Sequence, residues 1–209
     1  QRHADDGQLA RKRIERDLQI RRDIDVSADV AKHRVGKGGG AGAAGGETVE
    51  AVERATPSTR REMMRAVLID EVPPEAVAEH VLAAAAVQLY FTGLAAKLDV
   101  ASLQSVADGA CPSCGGAPAA SAIVGWHGAH GTRFCTCSMC ATQWNVVRIR
   151  CLVCSSESKI AYHSIEGGAE TIMGETCESC SSYVKMLHQH KDAALDPVAD
   201  DVASLALDL

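Results

Sequence analysis

Eight of the nine cysteines stand in pairs spaced C-x2-C: Cys111 and Cys114, Cys137 and Cys140, Cys151 and Cys154, Cys177 and Cys180. Moving the first four by 40 positions lands on the second four, so the chain carries an internal duplication. Each copy is a C-x2-C pair, a 22-residue excursion and a second C-x2-C pair. A C-x2-C turn brings two sulfurs to one metal with backbone N–H groups facing the thiolates. Two such turns supply four thiolates at about 2.3 Å in a tetrahedron. Gly115, directly after the first pair, suits the positive φ of such a turn. The expected chemistry is two tetrathiolate metal sites.

Other uses of cysteine fit less well. A disulfide framework rarely sets its cysteines two apart four times over. Thioredoxin-like redox chemistry needs one C-x-x-C beside a βαβ unit. Cys135 falls outside the register, because its counterpart is Glu175, and is read as a spare thiol. His127, His130 and His163 are read as polar hairpin residues, since four cysteines per copy leave no ligand position open. A site closed by four sulfurs lacks the open position that a catalytic metal keeps. With no G-x-S-x-G, P-loop or dinucleotide fingerprint, the chain is not read as an enzyme. Four thiolates accept either iron or zinc.

The elements that must position these thiols are short. "WNVVRI" and "KIAYHSI" read as strands between turns. Upstream, residues 49–105 have a helical pattern. "STRREMMRAVLIDEV" offers Ser58 or Thr59 as N-cap and stops before Pro73 and Pro74. Pro74 can open a second helix with Val77, Val81, Ala85 and Leu89 on one packing stripe. Residues 1–48 end in a glycine-rich tract and read as linker or disorder. From Asp196, an N-cap followed by Pro197, a last helix places Val198, Val202, Leu205 and Leu209 on one face, with Asp200 and Asp201 in its first turn. The expected domains are 1–48, a helical region 49–105, a first metal module 106–148, a second 149–190 and a C-terminal helix 191–209.

A net charge of −6 and the lack of a Lys/Arg run between Cys111 and Cys180 argue against a nucleic-acid surface. The most apolar stretch, Val81 to Ala96, has 16 residues, short of the roughly 20 that span a membrane. No membrane insertion and a cytoplasmic location are expected.

The run from Cys111 to Leu209 closely resembles the formate dehydrogenase accessory proteins of the FdhE type. The resemblance rests on "CPSCGGAP", "CSMCATQWNVVRIRC", "CESCSSYVKM" and "VADDVASLALDL", and continues more weakly through "AAAAVQLYFTGLAAKL". It does not reach residues 1–48. It implies an α+β fold: a helical N-terminal segment, two tandem rubredoxin-like (zinc-ribbon-like) metal modules and a C-terminal helix. It also implies a cytoplasmic maturation factor that binds the catalytic subunit of respiratory formate dehydrogenase, with iron favoured over zinc. The implied ligands are the eight repeat-matched cysteines. Trp144, Arg148, Tyr183, Lys185, Asp200 and Asp201 fall on family motif positions and become candidate partner-binding residues.

Two other functions stay open. One is a rubredoxin-like electron carrier, which a reversible one-electron couple would reveal. The other is a zinc-ribbon nucleic-acid module, which a salt-dependent oligonucleotide shift would reveal.

Overall fold

A computed structural model describes residues 43–104, 106, 109–168 and 170–208. Three helices come first: α1 (Ala43–Arg54), α2 (Pro57–Leu68) and α3 (Val77–Ala95). Six strands follow: β1 (Pro118–Ile123), β2 (Arg133–Cys137), β3 (Gln143–Val146), β4 (Ile160–His163), β5 (Ile172–Cys177) and β6 (Ser182–Leu187). The chain then forms α4 (Ala199–Ala203) and a 3-10 turn at Leu205–Leu207.

α1 begins inside the glycine-rich tract, earlier than the boundary at residue 49 that composition suggests. The rest of that expected linker lies outside the described residues. α2 is capped by Thr56, whose side chain accepts from the Thr59 N–H, and Pro57 takes the first helical position. The cap therefore falls before Ser58 and Thr59, because the proline fits where no N–H bond is needed. α2 ends at Leu68 with Ile69 as C-cap; Asp70 after it takes φ 57, and the Glu71 N–H closes back on the Ala66 carbonyl at 2.9 Å.

α3 differs from expectation in the face it buries. Pro74–Ala76 is a 3-10 turn leading into it, as the proline suggested. The buried residues are His80, Ala83 and Val87, and further along Phe91 and Ala95 pack against the first cysteine cluster. Val77, Val81 and Leu89 are 51%, 60% and 63% exposed. Both stripes satisfy the helical period, so periodicity alone cannot choose between them. The face used is the one that carries His80, Ala83 and Val87. Pro74–Ala95 is 22 residues and long and apolar enough to cross a membrane by length and composition. That exceeds the 16-residue stretch in the sequence, because the helix starts before the apolar run does.

The strands form one sheet in the order β3-β2-β1-β6-β5-β4. Each repeat contributes an antiparallel three-stranded meander, and β1, β2 and β3 recur 40 residues later as β4, β5 and β6. The meanders join where β1 runs parallel to β6, Ala120 opposite Lys185 and Ala122 opposite Leu187. The two tandem modules thus share one sheet. The centre of that sheet is made of small side chains: Ala120, Ser121 and Ala122 are 0%, 0% and 1% exposed.

Candidate metal centres

Each excursion between C-x2-C pairs is a hairpin that brings the second pair back over the first. In the first cluster Cys111 Sγ and Cys140 Sγ are 3.6 Å apart, and Cys114 Sγ and Cys137 Sγ 3.5 Å. In the second, Cys151 and Cys180 are 3.6 Å apart and Cys154 and Cys177 3.7 Å. All four sulfurs of each cluster lie within 4.8 Å of one another. A metal–sulfur bond of about 2.3 Å in tetrahedral geometry places the sulfurs about 3.8 Å apart. The spacing and the all-sulfur donor set fit a tetrahedral ion of zinc or iron, and each cluster could hold one.

The same turn is built four times. The residue after the second cysteine of each pair has positive φ: Gly115 (77), Ala141 (55), Ser155 (57) and Ser181 (56). That conformation lets the chain close on itself, with the Gly115 N–H donating to the Cys111 carbonyl at 2.8 Å and the Ser155 N–H to Cys151 at 3.0 Å. It also turns amides toward sulfur. The Gly116 N–H donates to Cys114 Sγ at 3.4 Å, Met139 to Cys137 Sγ at 3.3 Å and Val153 to Cys151 Sγ at 3.4 Å. Such donors stabilise thiolate over thiol. Hydroxyl oxygens stand at matched positions as acceptors: Cys140 Sγ donates to Thr142 Oγ1 and Cys180 Sγ to Ser182 Oγ, each at 3.1 Å.

Four thiols this close titrate as a set. In the first cluster hydrogen bonding to Cys114, then Cys137 and Cys140, pushes Cys111 down, while Cys114 is pushed up by Cys111. In the second, burial opposes ionisation of Cys151. The Ser182 hydroxyl and the amides of Cys154 and Val153 nonetheless hold it down to about 6.

The two clusters are unequal in cover. Cys111, Cys137 and Cys140 are 0%, 3% and 2% exposed, within a core that includes Trp144, Val146 and Leu152 and is packed by Phe91 and Ala95 from α3. Gln88 of α3 also donates to the Ser138 carbonyl, beside the second pair, at 2.9 Å. In the second cluster Cys151 and Cys177 are buried, but Cys180 is exposed.

The remaining candidates have varied placements. Cys135 joins neither cluster: it is fully buried in β2, in register with Trp144 and Ser121. His127, His130 and His163 are exposed, and His163 Nε2 lies 3.0 Å from Thr176 Oγ1. Trp144 is 9% exposed, inside the first cluster's core. Lys185 is 2% exposed; its Nζ donates to Asp208 Oδ2 at 2.7 Å and to the Asp201 carbonyl at 2.7 Å. Burial opposes the Lys185 charge, but Asp208 and Asp201 raise it above its ordinary value. Tyr183, 40% exposed, lies over Gly174, and burial together with Asp208 and Asp201 raises its hydroxyl well above the usual range. Asp200 accepts the Asp196 N–H at 2.7 Å, while Asp196 Oδ1 accepts from Val198 and Ala199 at 2.9 and 2.8 Å. The N-cap position of α4 is Val198, without a side-chain cap bond, rather than the expected Asp196, and α4 is only five residues long. Val198, Val202 and Leu205 are 58%, 64% and 59% exposed, so this apolar face is not packed on the sheet; Leu209 lies outside the described residues. Arg148 is exposed beside Gly131.

Sequence reasoning missed the polar group that joins the modules. Arg133 Nη2 donates to Ser121 Oγ at 3.1 Å and to Glu175 Oε1 at 2.8 Å, and Arg133 Nη1 donates to the Arg148 and Arg150 carbonyls at 3.2 and 3.3 Å. The signal was present in "RFCTC", where Arg133 alternates onto the same face as Cys135 and Cys137.

Comparison with known proteins agrees along the chain. Residues 1–108 match the family "FdhE, N-terminal", residues 110–148 "FdhE, central domain" and residues 149–209 "FdhE, C-terminal domain". The match includes residues 1–48, where the sequence alone offered no resemblance. The chain is 46% identical over 169 residues to a protein named "Protein FdhE homolog" from Rhizobium meliloti (strain 1021), covering 80% of this chain and 55% of that one. A Proteus mirabilis (strain HI4320) protein of the same name is 36% identical, covering 77% and 53%. The chain therefore spans about half the length of these relatives. The crystal structure of the FdhE protein from Pseudomonas aeruginosa superposes with a TM-score of 0.75 at 30% identity, over 95% of this chain and 72% of that one. With its helices, its duplicated hairpins and its two four-sulfur clusters, the chain belongs to the FdhE family.

Proposed function

We propose that this chain is the metal-bearing part of an accessory factor that holds the catalytic subunit of formate dehydrogenase during its maturation. One observation carries the reading. Eight cysteines converge into two four-sulfur sets in a chain matched along its length by the FdhE family. Each site would bind one ion through Cys111, Cys114, Cys137 and Cys140, or through Cys151, Cys154, Cys177 and Cys180, with iron favoured and zinc possible. A structural tetrathiolate ion supplies folding free energy, about 10–16 kcal/mol for comparable zinc sites. The protein's own contribution is to orient amides and hydroxyls at the sulfurs and to close the sites against substrate, which makes the role non-enzymatic.

Among the motif residues, Tyr183 and Arg148 stand exposed and are the proposed points of contact with the client. Trp144, Lys185, Asp200 and Asp201 support that surface from within. Trp144 fills the first core, and Lys185 ties Asp201 and Asp208 to β6. We place the protein in the cytoplasm, outside the membrane and off nucleic acid; Phe91 and Ala95 hold α3 against the first cluster. The test is co-purification with the catalytic subunit. The wild-type chain and Cys135→Ser should retain the subunit, while Cys140→Ser and Cys177→Ser should lose it along with cellular formate dehydrogenase activity. Retention by the metal-free chain would refute the reading.

A further inference from the structure

One end of the sheet gathers five basic side chains in a chain whose net charge is −6. His130 lies in the turn between β1 and β2, and His188, His190 and Lys191 follow β6. The rings of His188 and His190 have centroids 5.3 Å apart, and those of His130 and His190 6.2 Å. Arg148, just beyond β3, brings Nη1 to 3.8 Å from where a Cβ on Gly131 would stand. A Cβ on Gly125 would lie 3.1 Å from the His190 Cα, so glycine at 125 allows the turn to approach the chain after β6. His130, Arg148 and Lys191 are exposed, and His188 and His190 partly buried.

Two observations point to a ligand. Both ring nitrogens of His188 are buried and have no hydrogen-bond partner among the described residues. Buried polar groups ordinarily have one. The charges that bear on His188 are those of Lys191, His190 and Arg148, with no carboxylate among them. Three imidazoles could suggest a second kind of metal site. However, the described groups whose donor atoms lie within 4.8 Å of one another are the two thiol clusters, and Arg148 and Lys191 would repel a cation. The same charges attract an anion. An imidazole that takes up a proton beside an anion also gains a second N–H donor.

We propose that Arg148, Lys191, His130, His188 and His190 form a binding site for an oxyanion, a phosphate or carboxylate group. Arg148 offers paired N–H donors, His188 the most buried donor, and Lys191 a compact charge. The Nδ1 of His190 lies 3.4 Å from the Ile123 carbonyl, which leaves Nε2 free for the ligand. The site lies away from both thiol clusters and goes beyond the accessory role proposed above.

The test is a titration of the metal-loaded chain with inorganic phosphate and, separately, with acetate, at an ionic strength held constant with chloride. Proton–nitrogen NMR follows the imidazole rings. The site requires saturable shifts at His188 and His190. A response to phosphate alone assigns a phosphate-bearing ligand, and a response to acetate a carboxylate-bearing one. Arg148→Gln changes an exposed residue and should weaken binding by about tenfold, the worth of a lost charge-assisted contact. His188→Gln should weaken it further while both thiol clusters keep their metal. Flat titrations with both anions, or wild-type affinity in Arg148→Gln, overturn the proposal.

Discussion

Arg133 Nη2 donates to Glu175 Oε1 at 2.8 Å, with the two side chains 0% and 4% exposed. Arg133 belongs to the first repeat and Glu175 to the second, and the sheet order places β1 and β6 between their strands. Ser121 of β1 lies along the way and accepts from the same guanidinium. Small residues at the centre of the sheet are what allow a long side chain to cross it. The internal duplication is therefore broken where the two halves meet: at the position of Glu175 the first repeat carries Cys135.

Glu175→Gln should strand a buried guanidinium and cost about 3–5 kcal/mol of stability. Arg133→Met combined with Glu175→Leu removes both charges and should cost less than either single change. Urea unfolding of the metal-loaded chain measures this. Additive losses in the double variant would show that the pair is not coupled.

Ala141, Ser155 and Ser181 adopt left-handed backbone where the fourth matching turn has Gly115. A side chain there costs roughly 1–2 kcal/mol, partly offset by the entropy that glycine loses on folding. Each change to glycine should stabilise its metal-loaded cluster by up to about 1 kcal/mol. Gly115→Ala should destabilise the first cluster by a similar amount. Thermal melts with metal content monitored give the sign.

Unequal cover predicts unequal metal release. The first cluster is packed by Phe91, Ala95 and Leu152, and the second exposes Cys180. Under a colorimetric chelator the chain should lose its two ions in separate phases, about tenfold or more apart, since the surrounding shell controls access. Cys177→Ser should abolish the fast phase and Cys137→Ser the slow one. A single phase in the wild-type chain would contradict this.

His188 is held below its ordinary value of 6.5 by burial first, then by Lys191, His190 and Arg148. The folded state therefore takes up its proton less readily than the unfolded chain. Its contribution to stability is full above pH 6.5 and falls away as the pH drops below 6.5 toward the lowered value. His188→Gln should flatten the stability profile in that window. An unchanged slope between pH 7 and 5.5 would assign it to other groups.

The thiol clusters were legible because ligand spacing is a local property: four C-x2-C pairs in one register leave few alternatives for eight sulfurs. The strands "WNVVRI" and "KIAYHSI" were legible as well, since alternation and flanking turns mark them. The β1–β6 junction was not, because Ala120, Ser121 and Ala122 carry no apolar signature and the pairing joins segments 64 or more residues apart. The buried face of α3 was misread as well. Val77, Val81 and Leu89 recur at the helical period, yet the helix packs through His80, Ala83 and Val87, with Phe91 and Ala95 on the first cluster, a face of equal period that mixes large and small side chains. Lys185 looked like a surface charge, and only the fold brings Asp201 and Asp208 to it.

The central claim is that the duplicated cysteines hold two ions in two four-sulfur sites. Native mass spectrometry of the intact chain, purified under reducing conditions, tests it most directly. The wild-type chain and Cys135→Ser should each carry two ions, and Cys140→Ser and Cys177→Ser one each. One ion or none in the wild-type chain, or loss of an ion in Cys135→Ser, would contradict the account.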